Sequence, residues 1–239
     1  MIDVAGISKS FQGNLILQNL HFQIQTGDCL FIVGKSGCGK SVTLKILTGL
    51  LQPDSGKLWI NGQEVSLLPV SAWQTFHQQM GVVFQNAALF DSLSVYENIA
   101  IRLLEEKILS EDTIQKKVLE TLEKVGLFDS VLTQKPMALS GGMRKRVGIA
   151  RAIIHQPKWL FYDEPTTGLD PVTAETIDLL IQQLAIQTTT IVISHDLISA
   201  RQLASHILFL DQGKVQYFGK ADAFFLSEDP LIRRFLRRG

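Results

Sequence analysis

A glycine-rich run with the pattern Gly-x4-Gly-Lys-Ser occupies Gly34–Ser41. It follows an apolar stretch, Cys29–Val33, that predicts a strand, and it precedes a helix-like stretch, Val42–Leu47. Glycines let such a turn curl its backbone N–H groups around phosphate oxygens, and the helix N-terminus adds positive potential there. Lys40 can then reach the β- and γ-phosphates, and the Ser41 hydroxyl can bind Mg²⁺. The run therefore predicts a nucleoside triphosphate site rather than a chance glycine-rich turn.

Two adjacent carboxylates, Asp163 and Glu164, follow the apolar run Trp159–Tyr162. Ligands of an open parallel sheet sit beyond the carboxyl ends of its strands, so this strand end is expected beside the glycine-rich turn. Asp163 is predicted to reach the Mg²⁺ held by Ser41 through water, and Glu164 to polarise the attacking water. The alternative is an acidic strand end exposed to solvent, which the upstream Gly34–Ser41 run disfavours.

A third strand signal, the β-branched run Thr189–Ser194, leads to His195. A single histidine is more often structural than catalytic, but this one is expected on the same rim as Ser41 and Asp163. There it can bind the γ-phosphate or orient the water. The remaining histidines have no such setting and are interpreted as structural.

A length of 239 residues allows one large α/β domain or two small ones, and we interpret residues 1–239 as a single domain. Lys+Arg and Asp+Glu both number 23, so the net charge is zero. Because a nucleic-acid partner usually goes with a basic excess, none is expected. We identify no secretory leader and no apolar run of about 18 residues, and we expect any membrane role to come through a partner. Cys29 and Cys38 are interpreted as reduced thiols of a cytosolic protein.

Strand and helix signals alternate along most of the chain, which predicts a parallel sheet with both faces covered. The strand signals outside the motifs lie at residues 2–7, 16–24, 57–60 and 81–84. The later helix signals lie at about residues 143–155, 171–185 and 197–204, and a hairpin is predicted at residues 207–218. The helical block at about residues 90–138 is interpreted as an inserted subdomain.

The run Leu139–Met143 separates classes of phosphate-binding protein that the other motifs leave open. Together with Gly34–Ser41, Gln85, Trp159–Glu164 and His195, it makes nearly the whole chain resemble the nucleotide-binding subunit of ABC transporters. The resemblance implies an α/β fold with a P-loop core of mostly parallel sheet, an N-terminal antiparallel β-subdomain and an inserted α-helical subdomain. It also implies ATP and Mg²⁺ as cofactors, and ATP hydrolysis coupled to transport.

The resemblance implies roles for single residues as well. Gln85 matches the Q-loop glutamine, which senses Mg²⁺ and the attacking water, and Gly168–Asp170 matches the D-loop, which crosses to the other subunit. Phe11 matches an aromatic residue that stacks on adenine, where the family more often has Tyr. The implied catalytic residues are Glu164, His195 and Gln85, and the implied Mg²⁺ ligands are Ser41, Gln85 and Asp163. The implied ATP-binding residues are Phe11, Gly34, Lys35, Ser36, Gly37, Cys38, Gly39, Lys40, Ser41, Val42, Ser140, Gly141 and Gly142.

Ser140, Gly141 and Gly142 are expected at the start of a helix, where their N–H groups form an anion site. In the family this site binds the γ-phosphate of ATP held by the opposite subunit, so the resemblance implies an ATP-dependent, head-to-tail homodimer. Met143 stands where the family usually has Gln. Because Met cannot donate a hydrogen bond, that polar contact is absent, and we expect the serine and the backbone to sustain catalysis.

Residues 139–147 and 88–100 resemble the phospholipid-trafficking branch of the family, the Mla type in bacteria. In that branch the ATPase partners an integral membrane permease and an MCE-domain lipid-binding protein. The implied location is the cytoplasmic face of the inner membrane, with peripheral attachment through the permease. The alternatives are an ABC ATPase subunit for another substrate, a non-transport ABC ATPase acting on DNA or ribosomes, and a non-catalytic nucleotide sensor.

Two basic clusters have no part in these assignments. Arg144, Lys145 and Arg146 are interpreted as a solvated helix face, with Arg146 near phosphate as the alternative. The tail Leu231–Arg238 is interpreted as a solvated terminus, with a contact to lipid headgroups or to a partner subunit as the alternative.

Overall fold

A computed structural model describes residues 1–237 of the chain. Ten strands lie within those residues: β1 Ile2–Phe11, β2 Asn14–Ile24, β3 Cys29–Gly34, β4 Ser55–Ile60, β5 Gln63–Glu64, β6 Met80–Val83, β7 Trp159–Asp163, β8 Thr189–Ile193, β9 His206–Asp211 and β10 Lys214–Lys220. The helices of the same residues are α1 Lys40–Leu47, α2 Gln74–His77, α3 Val95–Glu106, α4 Glu111–Lys124, α5 Gly141–Ile153, α6 Pro171–Ala185, α7 Leu197–Leu203, α8 Ala221–Phe225 and α9 Pro230–Leu236. None of these helices is long and apolar enough to span a bilayer.

The strands form two sheets. The larger sheet has six strands in the order β10-β9-β3-β8-β7-β6, and its neighbouring strands are parallel except in the β9–β10 hairpin. The smaller sheet is antiparallel, with the order β2-β1-β4-β5. The predicted α/β fold, with a mostly parallel core sheet, an N-terminal antiparallel sheet and an all-helical insertion, is confirmed.

The six-stranded sheet is buried on both faces, as its continuous apolar strands require. Along β3, Phe31 and Val33 pack with the cluster that includes α3 to α6, while Leu30 and Ile32 pack with α1 and the antiparallel sheet. Successive side chains of a strand point to opposite faces, so one short strand joins the two cores. Packing on both faces thereby fixes the central strands within the core and fixes their pairing register.

The carboxyl ends of β3, β8 and β7 lie side by side at one edge of the sheet. Ile193 at the end of β8 is paired with Ile32 of β3 on one side and with Asp163 of β7 on the other. The glycine-rich turn, Glu164 and His195 each follow one of these strand ends. Strand pairing therefore gathers residues from three distant parts of the chain.

The helices of the insertion begin with strong capping signals. Ser94 and Glu97 form a capping box at the start of α3, in which each side chain bonds the backbone N–H of the other. Ser110 caps α4, and its hydroxyl accepts from Thr113 N. Leu104 of α3 and Leu119 of α4 are exposed. The extent of the subdomain, about residues 90–138, remains a prediction.

The prediction of a solvated C-terminal tail is wrong for the part that forms α9. Asp229 caps this helix and accepts from Leu231 N at 2.8 Å. Ile232 is buried, and the Phe235 ring stacks on Phe209 of β9 with centroids 4.6 Å apart. Aromatic packing against the sheet holds the tail in place. Arg238 lies outside the described residues.

Candidate active site

The glycine-rich turn joins β3 to α1 and follows a path that only glycine permits. Gly39 precedes α1 with φ of 109°, which L side chains rarely adopt. A Cβ on Gly39 would lie 2.4 Å from Leu17 Cδ2, and a Cβ on Gly34 would lie 2.2 Å from the Leu210 carbonyl oxygen. Such distances are far below van der Waals contact, so the turn depends on glycine at both positions.

Lys40 is the first residue of α1, and its side chain lies over the turn. Its Nζ donates to the carbonyl oxygens of Gly34 at 2.8 Å and Lys35 at 3.2 Å. An ammonium group has three donors, so these contacts leave one for another acceptor. The charge is thus held at the concave side of the turn, where an anion would be bound.

Ser41 and Asp163 lie next to each other, as predicted for a shared cation. The Ser41 hydroxyl donates to Asp163 Oδ1 at 3.4 Å. Burial, and then the Glu164 carboxylate, raise the pKa of Asp163, and the Ser41 hydroxyl and two lysines oppose this only in part. A hydroxyl and a carboxylate are oxygen ligands of the kind that Mg²⁺ prefers, and a bound cation would favour the ionised carboxylate. The donors present therefore fit Mg²⁺.

Glu164 has a left-handed backbone, with φ of 50°, immediately after β7. Its N–H donates to Ile193 O at 2.9 Å, which ties the turn to β8. Its Oε2 accepts from Thr167 Oγ1 at 3.1 Å and lies 2.6 Å from His195 Nδ1. Unusual backbone geometry in a non-glycine residue is characteristic of functional sites, and here it directs the carboxylate differently from that of Asp163.

A single cleft of about 580 Å³ contains most of the predicted site residues. Its lining comes from the glycine-rich turn and α1, from the segment after β6, and from the ends of β7 and β8. The lining residues are Ile16, Ser36, Gly37, Gly39, Lys40, Ser41, Val42, Gln85, Glu164, Thr167 and His195. The structure therefore brings the predicted phosphate, Mg²⁺ and catalytic residues together.

Eight predicted site residues lie outside the lining of this cleft: Phe11, Gly34, Lys35, Cys38, Ser140, Gly141, Gly142 and Asp163. Phe11, at the end of β1, is 43% exposed, and the Lys9 ammonium lies 5.6 Å from its ring centroid. Ser140–Gly142 lie at the start of α5, where the Ser140 hydroxyl accepts from Met143 N at 3.2 Å. The adenine and signature roles of these residues remain predictions.

The interpretation of Arg144, Lys145 and Arg146 as a solvated face is wrong for Lys145. This lysine is only 6% exposed, because its stem turns inward beneath α5. Its Nζ donates to the carbonyl oxygens of Gln85 and Glu164. Arg144 and Arg146 instead bond carbonyl oxygens within the helical region.

Sequence reasoning also missed Thr167 and Ile16, which line the cleft. Thr167 acts on the site through its hydrogen bond to Glu164, and its place three residues after the glutamate was the available signal. Ile16 comes from β2 in the antiparallel sheet, so only the tertiary fold brings it to the turn.

Comparisons with known proteins agree with this geometry. The family model described as "ABC transporter" matches residues 17–167. The chain is 36% identical over 253 residues to the Arabidopsis thaliana "Protein TRIGALACTOSYLDIACYLGLYCEROL 3, chloroplastic", covering 98% of this chain and 73% of that protein. It is 35% identical over 237 residues to the "Probable ribonucleotide transport ATP-binding protein mkl" of Mycobacterium leprae, covering 98% and 68%.

A third relative is the "Intermembrane phospholipid transport system ATP-binding protein MlaF" of Haemophilus influenzae. The two are 34% identical over 239 residues, covering 99% of this chain and 90% of that protein. Among solved structures, the ATP-binding cassette MJ0796, described as a dimer in a post-hydrolysis state with ADP and Pi, superposes with a TM-score of 0.86. It is 30% identical and covers 92% of this chain and 99% of its own.

The family match spans the segment that contains the glycine-rich turn, Gln85, Leu139–Met143 and Glu164. The structural match covers 92% of this chain. The chain therefore belongs to the ABC transporter family, as an ATP-binding and ATP-hydrolysing subunit.

Proposed function

We propose that two copies of this chain close head to tail around two ATP molecules, and that closure drives a separate membrane permease that moves phospholipid between membranes. The observation that carries this proposal is the composition of the cleft. It contains Lys40, Glu164 and His195, whereas Ser140–Gly142 lie at the start of α5 and outside the lining of the cleft, and the N–H groups of a helix start favour an anion. A site divided in this way is complete only when a second copy supplies the missing helix start.

We assign parts in hydrolysis to five polar residues of the cleft and to Asp163, which contacts Ser41. Lys40 and the N–H groups of the turn bind the β- and γ-phosphates. Ser41, Asp163 and Gln85 would hold Mg²⁺, which would supply positive charge to neutralise the phosphate oxygens. The Glu164 carboxylate accepts a proton from the attacking water, and His195 binds the γ-phosphate.

A mixing experiment tests the divided site. Lys40→Ala and Ser140→Ala each inactivate both sites of a homodimer. A mixed dimer of the two variants carries one site with both defects and one intact site. We expect the mixture to retain ATP on the dimer, measured as bound nucleotide after gel filtration, when neither variant does so alone. If the mixture retains no more ATP than its components, each site is self-contained and the head-to-tail arrangement is wrong.

The phospholipid substrate is supported by one relative whose name refers to phospholipid transport. A second relative is named for trigalactosyldiacylglycerol, a galactolipid, which supports a lipid substrate more generally. We propose that the chain attaches to the cytoplasmic face of the inner membrane through its permease, with an MCE-domain lipid-binding protein as a further partner. Purification of the complex from detergent-solubilised membranes identifies these partners. ATP-dependent transfer of labelled phospholipid between vesicles by the reconstituted complex then tests the substrate.

A second candidate substrate is a ribonucleotide, because the mkl relative is named for ribonucleotide transport. The same reconstituted complex distinguishes the two candidates. Uptake of labelled ribonucleotide without transfer of phospholipid would favour the second candidate and leave the ATPase assignment unchanged.

A further inference from the structure

Lys145 is a buried lysine in the first half of α5, the helix whose start carries Ser140–Gly142. Its Nζ donates to the Gln85 carbonyl oxygen at 2.5 Å and to the Glu164 carbonyl oxygen at 3.2 Å. One ammonium group therefore joins the backbones of two residues that lie 60 and 19 positions away.

Burying an ammonium group is costly unless it is hydrogen-bonded and faces opposite charge. Burial lowers the pKa of Lys145, and the nearby carboxylates of Glu164 and Asp163 oppose this effect. The two carbonyl oxygens supply hydrogen bonds, and the two carboxylates supply the opposite charge. Replacing a buried ionic group by an apolar side chain of similar volume is often neutral or stabilising, so stability alone does not account for a lysine at this position.

The rest of α5 also holds the segment after Gln85. Arg151 donates to the carbonyl oxygens of Ala87 at 2.7 Å and Ala88 at 2.8 Å. A Cβ on Gly148 would lie 3.0 Å from Ala87 Cβ, so helix and segment are in close contact. Of these contacts, only that of Lys145 extends to Glu164, whose left-handed backbone needs support from its surroundings.

We propose that Lys145 is a positioning residue for ATP hydrolysis, which holds the backbones of Gln85 and Glu164 at a fixed distance from each other and from α5. The proposal rests on the catalytic roles proposed for those two residues. Lys145 acts through them, because its Nζ donates to their backbone carbonyl oxygens. Because α5 begins with Ser140–Gly142, the same lysine links the helix start that faces the partner's ATP to the chain's own glutamate.

The number of hydrogen-bond donors on each side chain that replaces Lys145 predicts an order of ATPase activity among the variants. Arginine retains the charge and has five donors, glutamine has two donors on a shorter stem, and methionine has none. Displacing a reacting group by about 1 Å can lower a rate about 100-fold. We therefore expect Lys145→Arg to keep most of the activity, Lys145→Gln to be intermediate, and Lys145→Met to lose the most.

The experiment measures single-turnover hydrolysis of radiolabelled ATP by the full chain in excess over nucleotide, and the Kd of a fluorescent ATP analogue. We expect Lys145→Met to lower the rate about 10- to 100-fold while the Kd stays within about threefold. Lys116→Met, at an exposed lysine of α4, is the matched control and should match the wild type. If Lys145→Met does not fold, the proposal is tested by the hydrolysis rates of the other two variants, and Lys145→Arg should be faster than Lys145→Gln.

The outcomes separate this proposal from the roles on which it rests. If Glu164→Gln hydrolyses ATP as fast as the wild type, the catalytic role of the glutamate is wrong. If Glu164→Gln is inactive but Lys145→Met reacts at the wild-type rate, only the lysine proposal is overturned. Loss of ATP affinity in proportion to rate, or an Arg variant no better than Gln, would also overturn it by showing a purely structural role.

Discussion

His195 and Glu164 are in direct contact, with Nδ1 of the ring 2.6 Å from Oε2 of the carboxylate. Because a carboxylate accepts, the proton of a neutral ring lies on Nδ1, and Nε2 is then an acceptor. To donate from Nε2 to a phosphate oxygen while keeping this contact, the ring must carry both protons. The contact therefore sets the tautomer of a neutral His195 ring and ties the ring to the Glu164 carboxylate.

Replacing Glu164 by Gln removes the proton acceptor and preserves the size of the side chain. Loss of a general base should lower hydrolysis by about 10²–10⁴-fold, while ATP remains bound and the dimer accumulates. Phosphate release and gel filtration with ATP measure the two effects. Glu120→Gln, at an exposed glutamate of α4, is the matched control. Rapid hydrolysis without an accumulated dimer would contradict the mechanism.

The contact between His195 and Glu164 also predicts that their mutations are not additive. If the two residues act in the same step, His195→Ala should have little further effect in a protein that already carries Glu164→Gln. We expect the double variant to lie within about threefold of the slower single variant. Single-turnover rates of all four proteins provide the cycle, and losses that multiply would show that the residues act independently.

The sequence predicts the strands of the site well because each is a short apolar run that ends in a residue able to do chemistry. β3 ends at Gly34 and β7 ends at Asp163, and His195 lies two residues after the end of β8. The order of those strands in the sheet is not encoded locally. The sequence predicts only that these strand ends share one edge, because ligands of a parallel sheet lie beyond the carboxyl ends of its strands.

Other features depend on tertiary contacts that no local pattern reveals. Three consecutive basic residues look alike in a sequence, and only the positions of two distant carbonyl oxygens make Lys145 the buried member. The tail is similarly misleading, because its basic composition hides the packing of Phe235 on Phe209. Both predictions of solvent exposure are wrong for the same reason: the residues that pack against Lys145 and the tail are distant in the sequence.

Gly142 packs closely against the start of α6, which predicts a steric effect of substitution. A Cβ at this position would lie 2.5 Å from Thr173 Cγ2, and Thr173 is held by its hydroxyl bond to Asp170. Overpacking of this kind costs about 1–3 kcal/mol, although alanine is otherwise preferred to glycine in helices. We therefore expect Gly142→Ala to lower the free energy of unfolding measured with urea.

A second substitution tests the cause of that loss. Thr173→Ser removes Cγ2 and keeps the hydroxyl that bonds Asp170. Since the obstructing atom is then absent, the double variant should be at least as stable as Thr173→Ser alone. If Gly142→Ala destabilises both backgrounds equally, the contact with Thr173 is not the reason.

Asp178 of α6 and Asp196, which caps α7, share one serine hydroxyl. Ser199 Oγ lies 2.5 Å from Asp178 Oδ2 and 3.0 Å from Asp196 Oδ2. A hydroxyl has one proton, so two ionised carboxylates cannot both be satisfied by it. A proton on Asp178 completes the network, because Asp178 then donates to Ser199 and Ser199 donates to Asp196.

This arrangement predicts how stability depends on pH. Burial raises the pKa of Asp178 above its ordinary value of 3.8, Asp196 and Glu175 add to the shift, and the Ser199 bond opposes it. The folded protein therefore binds more protons than the unfolded chain above that value, so this carboxyl lowers stability as pH rises through its folded-state pKa.

Asparagine at position 178 donates to Ser199 at every pH. We expect Asp178→Asn to be more stable than the wild type near neutral pH, with the difference shrinking towards about pH 4, in urea unfolding across that range. A difference that does not vary with pH would show that Asp178 is ionised in the folded protein.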